Sequence, residues 1–182
     1  LSYLYFQDNH VLIDEISSKN RLGEFLDNES KFMSMSMNKS VTSYILGHAM
    51  CDGYIGSIDD RINDWPLLSN TLYENQKLID FLNMSVGDQK YINEFKKGTT
   101  GHPLADLTYE YETSTIHSTL GLFFKNSSKS KSIYNYNGFI TQLLFNYVKH
   151  KTGKDFQKIL NKVFQDKVKT KNSVYFGRIK YA

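Results

Sequence analysis

From Ser36 to Asp52 the apolar positions Val41, Tyr44, Ile45 and Ala49 follow the helical period, and Gly53 stands where a left-handed residue would end the helix. This is the clearest helical signal in the chain. "GFITQLLFNYVKHKTGKDFQKILNKVF" places Ile140, Leu143, Leu144, Tyr147 and Val148 at the same spacing, then Phe156, Ile159, Leu160 and Phe164 on a further helix. "NQKLIDFLNM" reads as another helix, stopped by "SVGD". At the start, "LSYLYF" and "VLIDEI" are β-favouring runs separated by "QDNH", and Asp8 and Asn9 supply the turn chemistry of a hairpin. Helices with an antiparallel hairpin make an α+β chain. Between these elements "SSKNRLGEFLDNESK" reads as a loop and "GSIDDRINDWPLLSN" as a turn-rich connector. Residues 88–118 show no clean period, with an irregular excursion at Gly101, His102 and Pro103, and "STLGLFF" fits a short helix or strand. "KNSSKSKS" is a low-complexity basic loop expected to be solvated.

A chain of 182 residues, 40% hydrophobic and 23% charged, is long and apolar enough for one domain with a real core. Most of its 13 Tyr and 12 Phe are expected in that core. The net charge of +3 is mild, and the Lys excess follows Lys125 rather than forming a stripe interleaved with aromatics, which argues against nucleic-acid binding. The single cysteine, Cys51, excludes an internal disulfide and a thiol metal cluster. It falls in an apolar helical run and is expected to be a small buried thiol. The five histidines include no pair at the i,i+4 spacing of a helical metal site, and neither a metal nor a cofactor is expected. No apolar stretch is long enough to span a bilayer. "LSYLYFQDNHVLIDEI" lacks the features of a signal peptide and reads as structure already under way, so an earlier native start is expected.

Ser36 and Lys39 stand three residues apart where the first helix begins. With 18 Ser and 19 Lys, chance spacing alone supplies such pairs, and a second one occurs at Ser128 and Lys131. That copy lies in a polar tract with no apolar face to fix it. Ser36 and Lys39 share a helical face, so the amine can approach the hydroxyl. A serine alcohol needs a neighbouring base, and a lysine becomes one when desolvated; Met33, Met35, Met37 and Val41 are expected to supply that shielding. The positive end of the helix favours a developing oxyanion. The alternative on the same residues is that Ser36 caps the helix while Lys39 points to water. "SIYNYNGFITQLL" adds tyrosine hydroxyls just ahead of an amphipathic helix, a good platform for a third group that passes a proton to a leaving group.

"SMSMNKSVTSYILGHAMCDGYIGSIDDRINDW" resembles the nucleophile segment of the serine β-lactamase-related hydrolases. That superfamily comprises class C β-lactamases, penicillin-binding D-alanyl-D-alanine peptidases, family VIII esterases and 6-aminohexanoate-dimer hydrolases. In it S-x-x-K opens the central helix and a Gly-hydrophobic-x-(Ile/Leu)-Asp-Asp connector follows, as in "GYIGSIDDRI". "LIDFLNMSVGD" resembles the Leu-Leu-x-Met-x-Ser-Gly segment, and "YNYNGFITQLL" the Tyr-x-Asn/Ser motif ahead of a helix with a Leu-Leu pair. The four landmarks keep family order over roughly residues 34–155.

The resemblance implies a β-lactamase/penicillin-binding transpeptidase-like α+β fold, a helical region packed on an antiparallel sheet. Residues 1–20 would supply its first strands and 31–182 its helical part, as one partial domain. It implies Ser36 as nucleophile, Lys39 as general base and Tyr136 as second proton-transfer group, the tyrosine being placed by counting back from Leu143 and Leu144. The third motif position is then Gly138, where the family has Asn or Ser; the other register uses Tyr134 with Tyr136 third. "KTG" at Lys151–Gly153 imitates the family's strand motif but is expected to end a helix, Gly153 as C-cap and Lys151 at the negative dipole end. The true strand motif is expected beyond Ala182, so the C-terminal strands would be missing. The implied activity is cleavage of a small ester or amide through an acyl-serine, and "SMSMNKS" and "YNYNGFITQLL" look closer to the esterase and aminohexanoate-oligomer branch than to true β-lactamases. The other readings are a penicillin-binding or peptidoglycan-sensing module that stays acylated, and a degenerate interaction scaffold. Relatives often work outside the cytoplasmic membrane.

Overall fold

The computed structural model describes residues 2–16, 30, 35–91, 116–117 and 119–175. The loop expected before Ser36, apart from Ser30, and the excursion around Gly101–Pro103 lie outside the described residues. The chain divides into two compact units, Leu1–Ser36 and Met37–Ala182.

In the first unit β1 (Ser2–Gln7) pairs antiparallel with β2 (His10–Ile16). Asp8 and Asn9 both take positive φ, 50° and 63°, as a two-residue hairpin turn with right-handed strand twist requires. Gln7 and His10 close the ladder across this turn. Tyr5 pairs with Ile13 and Phe6 with Val11, so Leu12 is an extra residue and the strand bulges there.

The second unit is helical. α1 spans Asn38–Cys51, α2 Leu78–Leu82, α3 Gly138–Thr152 and α4 Phe156–Leu160, the last running on as a π-helical segment over Asn161–Lys167. Helices together with one two-stranded antiparallel sheet make the described residues α+β. No helix among them is long and apolar enough to cross a membrane.

α3 is the centre of the unit. Ten consecutive residues, Phe139 to Val148, are buried, so apolar packing surrounds this helix rather than meeting one stripe. Both ends are fixed by their own residues. The Asn137 side chain accepts from the Ile140 N–H at 3.1 Å, and Gly153 takes φ 63° at the C-cap. Lys149, His150 and Lys151 lie in the last turn, where cations suit the dipole. Lys151 also pairs with Asp64, to which Tyr147 donates at 3.2 Å. Burial opposes the charge on Asp64, but the Lys151 ammonium and the Tyr147 hydroxyl outweigh it and hold the carboxyl below its usual range.

α1 packs on α3 and buries Thr42, Ile45, Leu46 and Ala49. Two expectations for this helix are corrected. Tyr44 is exposed at the rim, edge-on to His48 with ring centroids 4.7 Å apart, and Cys51 is an exposed free thiol. Cys51 lies two residues past Ala49, about 200° round the helix and off the buried stripe. Beyond it, Asp52 binds both Lys162 and Lys167 and so ties the end of α1 to the π-helical segment. Hydrogen bonds from those two lysines lower the Asp52 carboxyl from 3.8 to about 2. A carboxyl depressed on folding stabilises the native state above its unfolded pKa, and that contribution disappears as pH falls through 3.8 towards 2. The difference in thermal midpoint between wild type and Asp52→Asn should therefore close over that interval. A difference independent of pH would show that the ion pairs add nothing to stability.

The connector after α1 is ordered by its own backbone. Ile62 and residues 75–76 exchange N–H···O bonds of 2.9 Å, and Leu78 N–H reaches Asp60 O at 2.9 Å, folding the segment back on itself. Its apolar residues Ile55, Ile62, Trp65, Leu68, Leu72 and Tyr73 thereby enter the core. α2 is shorter than "NQKLIDFLNM" suggested, and the "STLGLFF" stretch forms a π-helical turn over Leu120–Phe124.

The basic loop is not simply solvated. Ser127 Oγ accepts from Leu72 N–H at 2.9 Å, Lys129 donates to Gln76 at 2.8 Å, and both the N–H and hydroxyl of Ser130 donate to Gly87 O, at 3.0 and 2.7 Å. Gly87 is needed at this contact: its φ is +82°, and a Cβ there would lie 2.6 Å from the Ser130 carbonyl oxygen.

Candidate active site

The helical backbone begins one turn before α1, as a 3-10 turn over Met35–Met37 that runs into Asn38 without a break. Ser36 sits in this turn and is exposed. The N-cap position belongs to Met37, and no side chain caps the helix, which removes the reading of Ser36 as the cap. Lys39 lies in the first turn of α1 and is half-buried. The expected methionine shield is not formed at Met37, which is 71% exposed. Val41 is half-buried, and Met33 lies outside the described residues.

The Lys39 ammonium has an aromatic neighbour. It lies over the Tyr136 ring, 4.5 Å from the centroid. A cation at that distance is attracted by the ring quadrupole, by about 0.5–1 kcal/mol at an exposed site. Two residues from segments far apart in the chain are thus brought together, and Tyr136 is the tyrosine obtained by counting back from the Leu143–Leu144 pair. Tyr134 is 68% exposed, and Gly138 is the first residue of α3.

The two asparagines that flank Tyr136 are bound by one buried carboxylate, Asp88, which the sequence alone does not single out. Asp88 is 1% exposed. Its Oδ1 accepts from the Asn135 side-chain amide at 3.2 Å, and its Oδ2 from the Asn137 amide at 3.2 Å and the Tyr73 hydroxyl at 3.3 Å. Burial pushes the Asp88 carboxyl above its ordinary range, partly countered by these donors. Burial, and then the neighbouring Asp88, push the fully buried Tyr73 hydroxyl well above its own. Asn135 N–H further donates to Met84 O at 2.8 Å, and the Asn137 amide to Asn135 O at 3.0 Å. The available signal was the alternation in "YNYNG" immediately before a helix. Asp88 itself follows a glycine in a stretch that looks like ordinary turn chemistry, which conceals its burial.

Among the described residues no group of three His, Cys, Asp or Glu could hold a metal ion. A cavity of about 550 Å³ lined by Trp65, Leu67, Asn70, His117, Lys125 and His150, among others, includes none of Ser36, Lys39 and Tyr136. No protein-family model matches this chain, and no curated protein matches it.

Proposed function

We propose that this chain carries the nucleophile region of a serine hydrolase, in a β-lactamase/penicillin-binding-like α+β fold, that cleaves a small ester or amide through an acyl-serine. The observation that supports this reading is the Lys39 ammonium over the Tyr136 ring, because a lysine base and a phenol are what the Ser36 hydroxyl needs for proton traffic. In the proposed reaction Lys39 accepts the Ser36 proton while Oγ attacks the acyl carbon. Helix N–H groups and the positive end of the α1 dipole favour the tetrahedral oxyanion. Its collapse breaks the bond to the leaving oxygen or nitrogen, which takes a proton passed from Lys39 through the Tyr136 hydroxyl. Water then adds to the acyl carbon by the same route, releasing a carboxylic acid and restoring Ser36.

Gly138 favours a second reading. With no side chain at the third motif position, no side-chain bond from there can reach Lys39 or a substrate amide, which suits a degenerate interaction scaffold; a penicillin-binding module that stays acylated is the further alternative. Hydrolysis of a p-nitrophenyl ester, measured beside labelling by a fluorescent penicillin, separates the three. Turnover that vanishes in Ser36→Ala supports the hydrolase. Stoichiometric labelling at Ser36 without turnover supports the slow acylated form. Neither signal would overturn the hydrolase and the acylated form and leave the interaction scaffold.

A further inference from the structure

We infer that Asp88 is a positioning residue: by holding Asn135 and Asn137 through one carboxylate, it turns the intervening Tyr136 outward onto Lys39. The catalytic consequence rests on the acyl-transfer reading above; the placement does not. In an extended chain residues i and i+2 point to one side and residue i+1 to the other. Asn137 is extended, with φ −151° and ψ 157°, and its amide and that of Asn135 reach the two oxygens of the same carboxylate. Tyr136, between them, is 49% exposed with its ring under the Lys39 ammonium. The clamp is anchored from behind. Tyr73, wholly buried among Phe81, Phe124 and Phe139, donates to Asp88, so the carboxylate cannot swing without dragging an aromatic core residue. Asn137 also caps α3, so helix start and tyrosine are fixed by one side chain. A neutral polar group in place of Asp88 would face three donors with fewer acceptor lone pairs, and the tripeptide would lose its fixed alternation.

The test uses Asp88→Asn and Asn137→Ser in the full chain. The second keeps a good helix cap and removes the amide that reaches both Asp88 and Asn135 O, so it remains informative should the buried substitution not fold. The readout independent of activity is the NMR shift of the Lys39 ε-methylene protons, moved upfield in the wild type by the Tyr136 ring current. Loss of that upfield shift in a variant whose circular dichroism remains native supports the clamp. Retention of the full shift in a folded variant overturns it. In parallel, kcat for a p-nitrophenyl ester should fall by about 100-fold with KM unchanged, the cost of misplacing a reacting group by about 1 Å. A wild type that neither turns over ester nor takes up penicillin removes the acyl-transfer reading, while the proton shift still decides whether Asp88 places Tyr136. Full turnover and full shift in both variants would sink the clamp alone.

Discussion

Replacing Lys39 with Met is expected to lower ester turnover by about 10²–10⁴-fold, the range general-base catalysis contributes, while the helical fold persists. The substitution keeps an unbranched chain of similar length on a half-buried position and deletes the ammonium. Helix propensity hardly changes between the two residues. The contact deleted from the folded state is the cation over the Tyr136 ring, worth at most about 1 kcal/mol at this degree of exposure. Activity and stability should therefore separate cleanly. Tyr136→Phe makes the complementary change, since it keeps the ring beneath the cation and removes only the hydroxyl. If Lys39→Met turned over ester like the wild type, the observed hydrolysis would not pass through this lysine.

The largest effect on stability is expected from Phe139→Ala, a loss of about 3–5 kcal/mol. For a chain of this size that lowers the thermal midpoint by about 6–20 °C. Phe139 is the second residue of α3 and 2% exposed. Its ring stacks on Phe124 at 5.3 Å between centroids and meets Tyr73 at 5.9 Å, while Tyr73 also touches Phe124 and Phe81. Four segments, the connector, α2, the π-helical turn and α3, therefore converge on one aromatic cluster. Truncation leaves a void that the rigid rings of Phe124 and Tyr73 cannot readily fill. Urea or thermal melts give the value directly, and a loss below about 1 kcal/mol would mean that the cluster relaxes around the hole.

Features set by nearby residues were legible in the sequence. Asp8 and Asn9 identify the hairpin turn because few residues tolerate positive φ; Gly53 and Gly153 mark the ends of α1 and α3 for the same reason. The period of Ile140, Leu143, Leu144, Tyr147 and Val148 predicts α3, although not that it would be enclosed on every side. Lys39 and Tyr136 could be nominated individually. That they would meet depends on the placing of the loop ahead of α3, and this rests on bonds across long stretches of sequence. Asp88 reaches Asn135 and Asn137, Ser127 reaches Leu72, and Ser130 reaches Gly87. None of those pairings leaves a periodic trace. The Ser/Lys-rich composition of the basic loop suggested solvation because composition reports how often such residues are wet, not where a particular hydroxyl is bonded. Cys51 is exposed although its run is apolar, because the last residue of the run projects away from the buried stripe of α1.

The exposed position of Cys51 has a practical use. As the only sulfhydryl in the chain, standing at the opposite end of α1 from Lys39, it offers an attachment point for a fluorophore or spin label without prior mutagenesis. A reporter there would ride on the same rigid rod as the candidate base, about 18 Å away along its axis. Rearrangement of the loop ahead of α3 could then be followed optically from a site that takes no part in the chemistry.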